Sequence, residues 1–139
     1  MNRIVVVCTG NTCRSPMAEG IIRQIVREHA IQDVAVQSMG LSAYEGDAPS
    51  DYAVEALAEI GIDISAHRSH PALAEELLAA DCIYVMTEQH KNVIVEALPE
   101  TAKKIIVMNI SDPFGQELSR YRQCRDEMLR FFTRELTGE

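Results

Sequence analysis

The order of hydrophobic segments in this chain predicts an α/β fold: a single domain, residues 1–139, with a four-stranded parallel sheet flanked by helices on both faces. Short β-branched runs alternate with longer segments whose apolar residues recur at helical spacing. This alternation is typical of parallel sheets, because each crossover helix returns the chain to the same edge of the sheet. A chain of 139 residues is also long enough to bury a core in one domain.

Four short apolar runs predict the strands. Residues 3–7 (RIVVV) are β-branched and show no polar alternation, which is typical of a strand buried on both faces. The other strands are predicted at 34–38, 82–86 and 104–108. Sheets of this type bind ligands beyond the carboxyl ends of their strands. The loops that follow the first and last strands are therefore expected to lie at the same edge.

The helices are predicted from apolar residues that repeat every three or four positions. They span residues 15–29, 51–60, 71–79, the segment from the third strand to 98, and 117 to about 136. Pro16 suits the first turn of the first helix, where a missing N–H group leaves no hydrogen bond unmade. Val54, Leu57 and Ala58 are expected to face the core, and residues 39–50, rich in turn formers, are predicted as a loop.

Charge and hydropathy exclude several classes of protein. The net charge of −8, from 13 basic and 21 acidic residues, argues against nucleic acid or an anionic membrane as the main partner. No segment is long enough to span a bilayer, and the apolar run Ile4 to Val7 is too short for the core of a signal peptide. We therefore expect a cytoplasmic protein. In that reducing compartment its four cysteines are expected to be catalytic, redox-active or buried rather than paired in structural disulfides.

Two cysteines, Cys8 and Cys13, lie in the stretch VVVCTGNTCRSPMAEG that joins the first strand to the first helix. A zinc site would need a second pair of ligands, but the remaining cysteines, Cys82 and Cys124, and the histidines are scattered singly. A nucleotide-binding P-loop would need a Gly-Lys-Ser or Gly-Lys-Thr ending, which is missing. The sequence therefore predicts neither a metal nor a nucleotide at this loop.

The remaining interpretation is a loop that holds a reactive thiolate and an anion. A short turn between a strand and a helix start points its backbone N–H groups inward, and the helix dipole adds positive potential there. Arg14 supplies a bidentate donor for phosphate oxygens, and Ser15 a hydrogen bond to the sulfur of Cys8. In that field the Cys8 thiol is expected to be much more acidic than a free cysteine. The alternative, a small buried residue that ends a strand, leaves the Gly10-Asn11 turn and Arg14 unexplained.

The stretch Cys8 to Gly20, CTGNTCRSPMAEG, closely resembles the signature of the low-molecular-weight protein tyrosine phosphatases. The resemblance continues in GIDISAHR (61–68), VMTEQH (85–90) and Asp112-Pro113, so it covers essentially the whole chain as one phosphatase domain. It implies that Cys8 attacks phosphorus to form a phosphocysteine, while Arg14 and the loop N–H groups hold the phosphoryl oxygens. Asp112 would act first as general acid and then as general base. No metal or organic cofactor is implied.

The resemblance also assigns the rest of the loop. The residues that bind phosphate or support the loop are then Thr9, Gly10, Asn11, Thr12, Cys13 and Ser15. Asn11 is expected to order the loop through a left-handed backbone or through its side chain, and His67 either joins that network or is solvated. Cys13 is the expected redox partner of Cys8 in a reversible disulfide, with packing under the loop as the alternative. Cys124 falls among apolar positions of the last helix and is expected to pack.

The substrates implied are phosphorylated proteins, with inorganic phosphate or other oxyanions as product or inhibitors. The substrate cleft is expected to include Thr12, Tyr44 and Phe114. Gly-Asn-Thr-Cys-Arg and Asp-Pro-Phe-Gly resemble the bacterial protein arginine phosphatases, whereas phosphotyrosine enzymes often have a bulky aliphatic residue at position 12 and an aromatic pair after Asp-Pro. A threonine hydroxyl can bond a guanidinium group. Phosphoarginine is therefore slightly preferred over phosphotyrosine, unless Thr12 has no bearing on specificity.

Two other classes of protein share parts of this pattern. Arsenate reductases have the same fold and loop but need a relay of further cysteines, typically a pair after the third strand. Here Cys82 stands alone in that region, so arsenate reduction is the alternative rather than the main prediction. A phosphoprotein-binding module without catalysis would lack the nucleophile, the arginine or the acid, and this chain has Cys8, Arg14 and Asp112.

Overall fold

The computed structural model describes residues 2–139 and has one sheet of four parallel strands in the order β2-β1-β3-β4. The strands are β1 (Asn2–Cys8), β2 (Val34–Gly40), β3 (Cys82–Val85) and β4 (Ile105–Val107). The α-helices are α1 (Arg14–Glu28), α2 (Asp51–Ala58), α3 (Ala74–Ala79), α4 (Glu88–Ala97) and α5 (Leu118–Thr137), and a 3-10 helix spans Pro99–Lys104. The predicted fold class is confirmed. Among residues 2–139, no helix combines the length and the apolar character that crossing a membrane requires.

Both faces of the sheet are covered. On one face, Ile4, Val6 and Cys8 of β1 pack in a cluster with residues of α1, α2 and α5. On the other, Val5 and Val7 pack with residues of α3 and α4. Since successive residues of a strand point to opposite faces, a strand covered on both sides needs an unbroken apolar run. This explains why β1 shows no polar alternation.

Strand β2 continues two residues beyond its predicted end at 38, so residues 39 and 40 are not part of a loop. The extension follows from pairing, because Cys8 at the end of β1 stands opposite Gly40. A side chain at position 40 would clash, since a Cβ atom there would lie 2.6 Å from the carbonyl oxygen of Thr9 and 2.9 Å from the backbone nitrogen of Asn11. The end of β2 is therefore a close backbone contact for the loop after β1.

Helix faces agree with the sequence patterns in α1 and α5 and differ in α2. Ala18, Ile21, Ile22 and Ile25 of α1 and Tyr121, Cys124, Met128 and Phe132 of α5 are buried, as expected. In α2 the buried residues are Ala53, Ala56 and Leu57, and Ala58 is exposed. Ala58 lies about 100° around the helix from Leu57, which turns it away from the core.

Some boundaries are shifted by tertiary contacts. Helix α3 begins at Ala74 rather than at residue 71, because Pro71 pairs with Gly40 in an isolated β-bridge. Helix α2 ends two residues before its predicted end, and the 3-10 helix before β4 was not predicted. None of these shifts moves the loops that follow β1 and β4, at the carboxyl edge of the sheet.

Candidate active site

The loop after β1 and the loop after β4 face each other across a cleft of about 210 Å³. We call residues 8–15 the Cys8 loop and residues 111–116 the Asp112 loop. The residues that line the cleft are Cys8, Thr9, Gly10, Thr12, Cys13, Arg14, Asp112 and Phe114. A larger cleft of about 590 Å³ lies beside α3, but none of the described residues that line it carries a thiol, hydroxyl or imidazole group. The smaller cleft is therefore the candidate active site.

The thiol of Cys8 is buried at the bottom of this cleft, with 3% of the residue exposed. Its sulfur lies 2.8 Å from the hydroxyl oxygen of Ser15, and the backbone N–H of Asn11 donates a hydrogen bond to it over 3.3 Å. Burial raises the pKa of Cys8 above its ordinary value, and this outweighs the lowering by Ser15, Asn11 and Arg14. The expected donors are thus present, but the expected net acidity of the thiol is wrong in direction.

Asn11 organises the Cys8 loop from its centre. Its backbone is left-handed, with φ of 55°, and its side chain is fully buried. The side-chain nitrogen donates to the hydroxyl oxygens of Ser15 at 2.7 Å and Ser38 at 3.0 Å, and the side-chain oxygen accepts from the backbone N–H of His70 at 2.9 Å. Both roles considered for Asn11 therefore hold together. Ser38 and His70 were not singled out from the sequence, since nothing local connects them to the loop.

His67 joins the same network rather than being solvated. Its Nε2 lies 2.9 Å from the backbone oxygen of Asn11. Together with the His70 backbone, it attaches the centre of the Cys8 loop to the segment after α2. The position of His67 inside the stretch 61–68 was the sequence signal for this contact.

Arg14, the first residue of α1, connects the two loops. Its guanidinium donates to the carbonyl oxygen of Ile110 at 2.9 Å and lies 3.8 Å from a carboxylate oxygen of Asp112. Arg14 is buried, whereas 52% of the Asp112 side chain is exposed. The other carboxylate oxygen of Asp112 accepts the backbone N–H of Phe114 at 3.0 Å. Asp112 therefore both forms a turn and faces the cleft.

The structure brings together two of the three residues expected at the substrate cleft. Thr12 is half-buried and Phe114 is 68% exposed, and both line the cleft. Tyr44 is 80% exposed and is absent from the described residues that line it. The backbone oxygen of Tyr44 accepts a hydrogen bond from Ser69, which fixes the chain but leaves the ring in solvent.

Cys13 lies under the loop, and 6% of the residue is exposed. Its thiol donates to the hydroxyl of Ser50 at 3.4 Å and lies 3.7 Å from the hydroxyl of Tyr121. Cys8 and Cys13 are both free thiols here. The packing role of Cys13 is thus visible, and its pairing with Cys8 on oxidation stays a prediction.

Neither of the other two cysteines is among the described residues that line the cleft of Cys8. Cys82 is the first residue of β3 and pairs with Ile4, so it lies toward the amino edge of the sheet, away from Cys8 at the carboxyl edge. The Cys124 thiol donates to the carbonyl oxygen of Ser111 at 3.3 Å, and Cys124 is not among the described residues that line the cleft of Cys8.

A buried thiol beside N–H and hydroxyl donors, an arginine at a helix start and an aspartate across the cleft meet at one edge of a parallel α/β sheet, which is the arrangement expected of the phosphatases named above. The chain belongs to the low molecular weight phosphotyrosine protein phosphatase family, whose sequence model matches residues 3–136. It is therefore a phosphoprotein phosphatase, a hydrolase of this type.

Several relatives agree with this assignment. A protein-arginine-phosphatase of Geobacillus stearothermophilus is 39% identical over 135 residues, which cover 91% of this chain and 88% of that protein. The crystal structure of a low molecular weight protein tyrosine phosphatase from T. tengcongensis matches with a TM-score of 0.93 at 36% identity, over 100% of both chains.

An arsenate reductase of Staphylococcus aureus (strain Newman) is 35% identical over 125 residues, which cover 90% of this chain and 88% of that protein. This likeness lies within the same family and at lower identity than that of the arginine phosphatase. Arsenate reduction is therefore not favoured, in agreement with the position of Cys82.

Proposed function

We propose that this protein hydrolyses phosphoarginine in proteins through a phosphocysteine intermediate. The observation that carries the choice of substrate is Thr12, a hydroxyl residue that lines the same cleft as Cys8 and Phe114. A hydroxyl can accept a hydrogen bond from a guanidinium N–H group, which an aliphatic side chain cannot. The similarity to protein-arginine-phosphatases from two bacilli supports the same choice.

The first step transfers the phosphoryl group to the enzyme. The thiolate form of Cys8 attacks phosphorus, a P–S bond forms, and the P–N bond of phosphoarginine breaks. The leaving nitrogen takes a proton from the carboxyl group of Asp112, which faces the cleft and is half-exposed. Ser15 and the N–H of Asn11 stabilise the thiolate, which offsets part of the cost of burying its charge.

The second step regenerates the enzyme. The Asp112 carboxylate takes a proton from a water molecule, whose oxygen attacks phosphorus as the P–S bond breaks. The electron pair returns to the Cys8 sulfur and inorganic phosphate leaves. Arg14 and the N–H groups of the Cys8 loop hold the equatorial oxygens in both steps, so inorganic phosphate and other oxyanions are expected to inhibit.

Phosphotyrosine is the second candidate substrate. The exposed ring of Phe114 at the cleft favours it, because an aromatic side chain packs against a phenyl ring as well as against a planar guanidinium group. Every catalytic residue is shared by the two substrates, so the chemistry above needs only a P–O bond in place of P–N.

The deciding experiment compares kcat/KM on two peptides that differ only in phosphoarginine or phosphotyrosine, with Cys8→Ser as the blank. We expect a ratio in favour of phosphoarginine in the wild type. Thr12→Val removes the hydroxyl at nearly constant shape, and we expect it to lower that ratio by about tenfold, the worth of one hydrogen bond to a charged group. Thr12→Ser, which keeps the hydroxyl, is the matched control.

A wild-type ratio in favour of phosphotyrosine would overturn the choice of substrate. Equal ratios for Thr12→Val and Thr12→Ser would overturn the role given to the Thr12 hydroxyl. The phosphocysteine route is tested separately by trapping labelled enzyme in acid. Turnover that survives in Cys8→Ser contradicts it, whichever peptide is preferred.

A further inference from the structure

A buried imidazole connects the Cys8 loop to helix α4. His90 lies in the first turn of α4 and is 7% exposed. Its Nε2 lies 2.9 Å from the hydroxyl oxygen of Thr9, and its Nδ1 lies 2.9 Å from the hydroxyl oxygen of Thr87. Thr9 directly follows Cys8 and lines the cleft. The series of hydrogen bonds from Thr87 through His90 to Thr9 therefore ends one residue from Cys8, the proposed nucleophile.

The contacts of Thr87 favour one direction for the protons in this series of hydrogen bonds. As the N-cap of α4, Thr87 accepts the backbone N–H of His90 at its hydroxyl oxygen, over 3.3 Å. Within residues 2–139, Nδ1 of His90 is the acceptor that lies within reach of the Thr87 proton. When Thr87 donates to Nδ1, the ring proton lies on Nε2 and is donated to the Thr9 oxygen, and the Thr9 proton then points away from His90.

The surroundings of His90 keep it neutral, so one ring nitrogen donates and the other accepts. Burial lowers the pKa of His90, the charge of Arg14 lowers it further, and Asp112 opposes them. The backbone of Thr9 is held separately, since its carbonyl oxygen accepts the N–H of Ser42 at 2.9 Å. The contact with the imidazole therefore bears on the orientation of the Thr9 hydroxyl, whereas the backbone of Thr9 is held by Ser42.

We propose that His90 is a positioning residue, which orients the Thr9 hydroxyl so that it donates a hydrogen bond to an oxygen of the phosphoryl group bound in the Cys8 loop. The inference rests on the proposed binding of phosphate oxygens by that loop. It is independent of the choice between phosphoarginine and phosphotyrosine, because the phosphoryl group is common to both.

The test is the dissociation constant of inorganic phosphate, measured by calorimetry. Thr9→Val removes the hydroxyl at similar shape, and we expect about tenfold weaker binding of phosphate.

Two substitutions of His90 distinguish the roles of its ring nitrogens. The amide nitrogen of glutamine reaches the position of Nε2, whereas the amide nitrogen of asparagine reaches the position of Nδ1. We expect His90→Asn to weaken phosphate binding about as much as Thr9→Val, and His90→Gln to restore most of the loss. His29→Asn, at the C-cap of α1 and remote from the cleft, is the matched control and leaves binding unchanged.

Two further readouts separate positioning from a general structural effect. In the Thr9→Val background, His90→Asn should add little, because the group that it orients is gone. Nitrogen NMR of the wild type should show His90 protonated on Nε2. The inference is overturned if Thr9→Val binds phosphate like the wild type, if the two amides behave alike, or if Nδ1 carries the proton. If the wild type itself binds no phosphate, the proposed function fails and the inference with it.

Discussion

The two loops of the active site differ in how firmly the structure holds them. Five of the eight residues of the Cys8 loop are buried, and Asn11 at its centre is hydrogen-bonded to Ser15, Ser38, His67 and His70. The Asp112 loop is mostly exposed, and its internal hydrogen bonds bridge only two to four residues. The half of the site that is proposed to bind phosphate thus lies largely in the core, while the proposed acid and the cleft wall belong to the surface. We expect the positioning of the phosphoryl group to depend on buried contacts, and the choice of substrate to depend on exposed contacts.

The first way to test this contrast is to remove the acid without disturbing the loop. Asp112→Asn keeps the turn, because an amide oxygen still accepts the N–H of Phe114. We expect kcat to fall by about 10³-fold, within the range for loss of a general acid. The melting temperature should change little, since the side chain is 52% exposed.

Phosphate affinity serves as the control for that variant and should be retained. A kcat near that of the wild type would mean that another group protonates the leaving atom.

The second test disturbs the buried half from a distance. Gly40→Ala places a methyl group where a Cβ atom would lie 2.6 Å from the Thr9 carbonyl oxygen. Since backbone must shift, we expect kcat/KM to fall about 100-fold and stability to fall by about 2 kcal/mol. Thermal unfolding and kinetics on an aryl phosphate measure the two effects.

Gly46→Ala is the comparison for the Gly40 variant. It tests a glycine with φ of 93° and no atom within 4 Å of the added Cβ, so it carries backbone strain without a contact to the loop. Equal losses of kcat/KM in the two variants would show that the close contact with Thr9 is unimportant.

The third test concerns the thiol itself. Ser15 is the largest of the influences that lower the pKa of Cys8, so Ser15→Ala should raise that pKa further. A raised pKa leaves less thiolate at neutral pH, and alkylation of Cys8 should need higher pH than in the wild type. We expect about tenfold slower alkylation at pH 7, the worth of one hydrogen bond to a charged group.

The rate of alkylation against pH, read by mass spectrometry at Cys8, measures this shift. An unchanged or lower midpoint in Ser15→Ala would contradict the assignment of the Ser15 hydroxyl as a donor to the sulfur.

The smallest expected effect separates the two exposed aromatic residues. Phe114 lines the cleft and Tyr44 does not, although both rings are largely exposed. Phe114→Ala should raise KM for a phosphopeptide about three- to tenfold, in line with the loss of one aromatic contact. Tyr44→Ala should leave KM within twofold. The reverse order would restore the expectation that Tyr44 contributes to the substrate cleft.

Local sequence patterns were sufficient to predict the order of the helices and strands and the main chemical groups of the candidate site. Apolar periodicity depends on a few neighbouring residues, so it located β1, α1 and α5 closely. The strand–loop–helix arrangement placed Cys8 and Arg14 together, because only five residues separate them. The resemblance singled out Asp112, and its place after the last strand put it at the same edge as Cys8, since carboxyl ends of parallel strands share an edge.

Contacts between distant segments were decided only by the tertiary structure. The bonds of Asn11 to Ser38 and to the His70 backbone join residues 27 and 59 positions apart, and Thr9 and His90 are 81 apart. The exposure of Tyr44 depends likewise on how segments pack. So does the net shift of the Cys8 pKa, in which burial outweighs the hydrogen bonds and the charge of Arg14. Periodicity and motifs report the local conformation and chemistry of a chain, whereas burial and hydrogen-bond partners depend on all the segments that meet at one place.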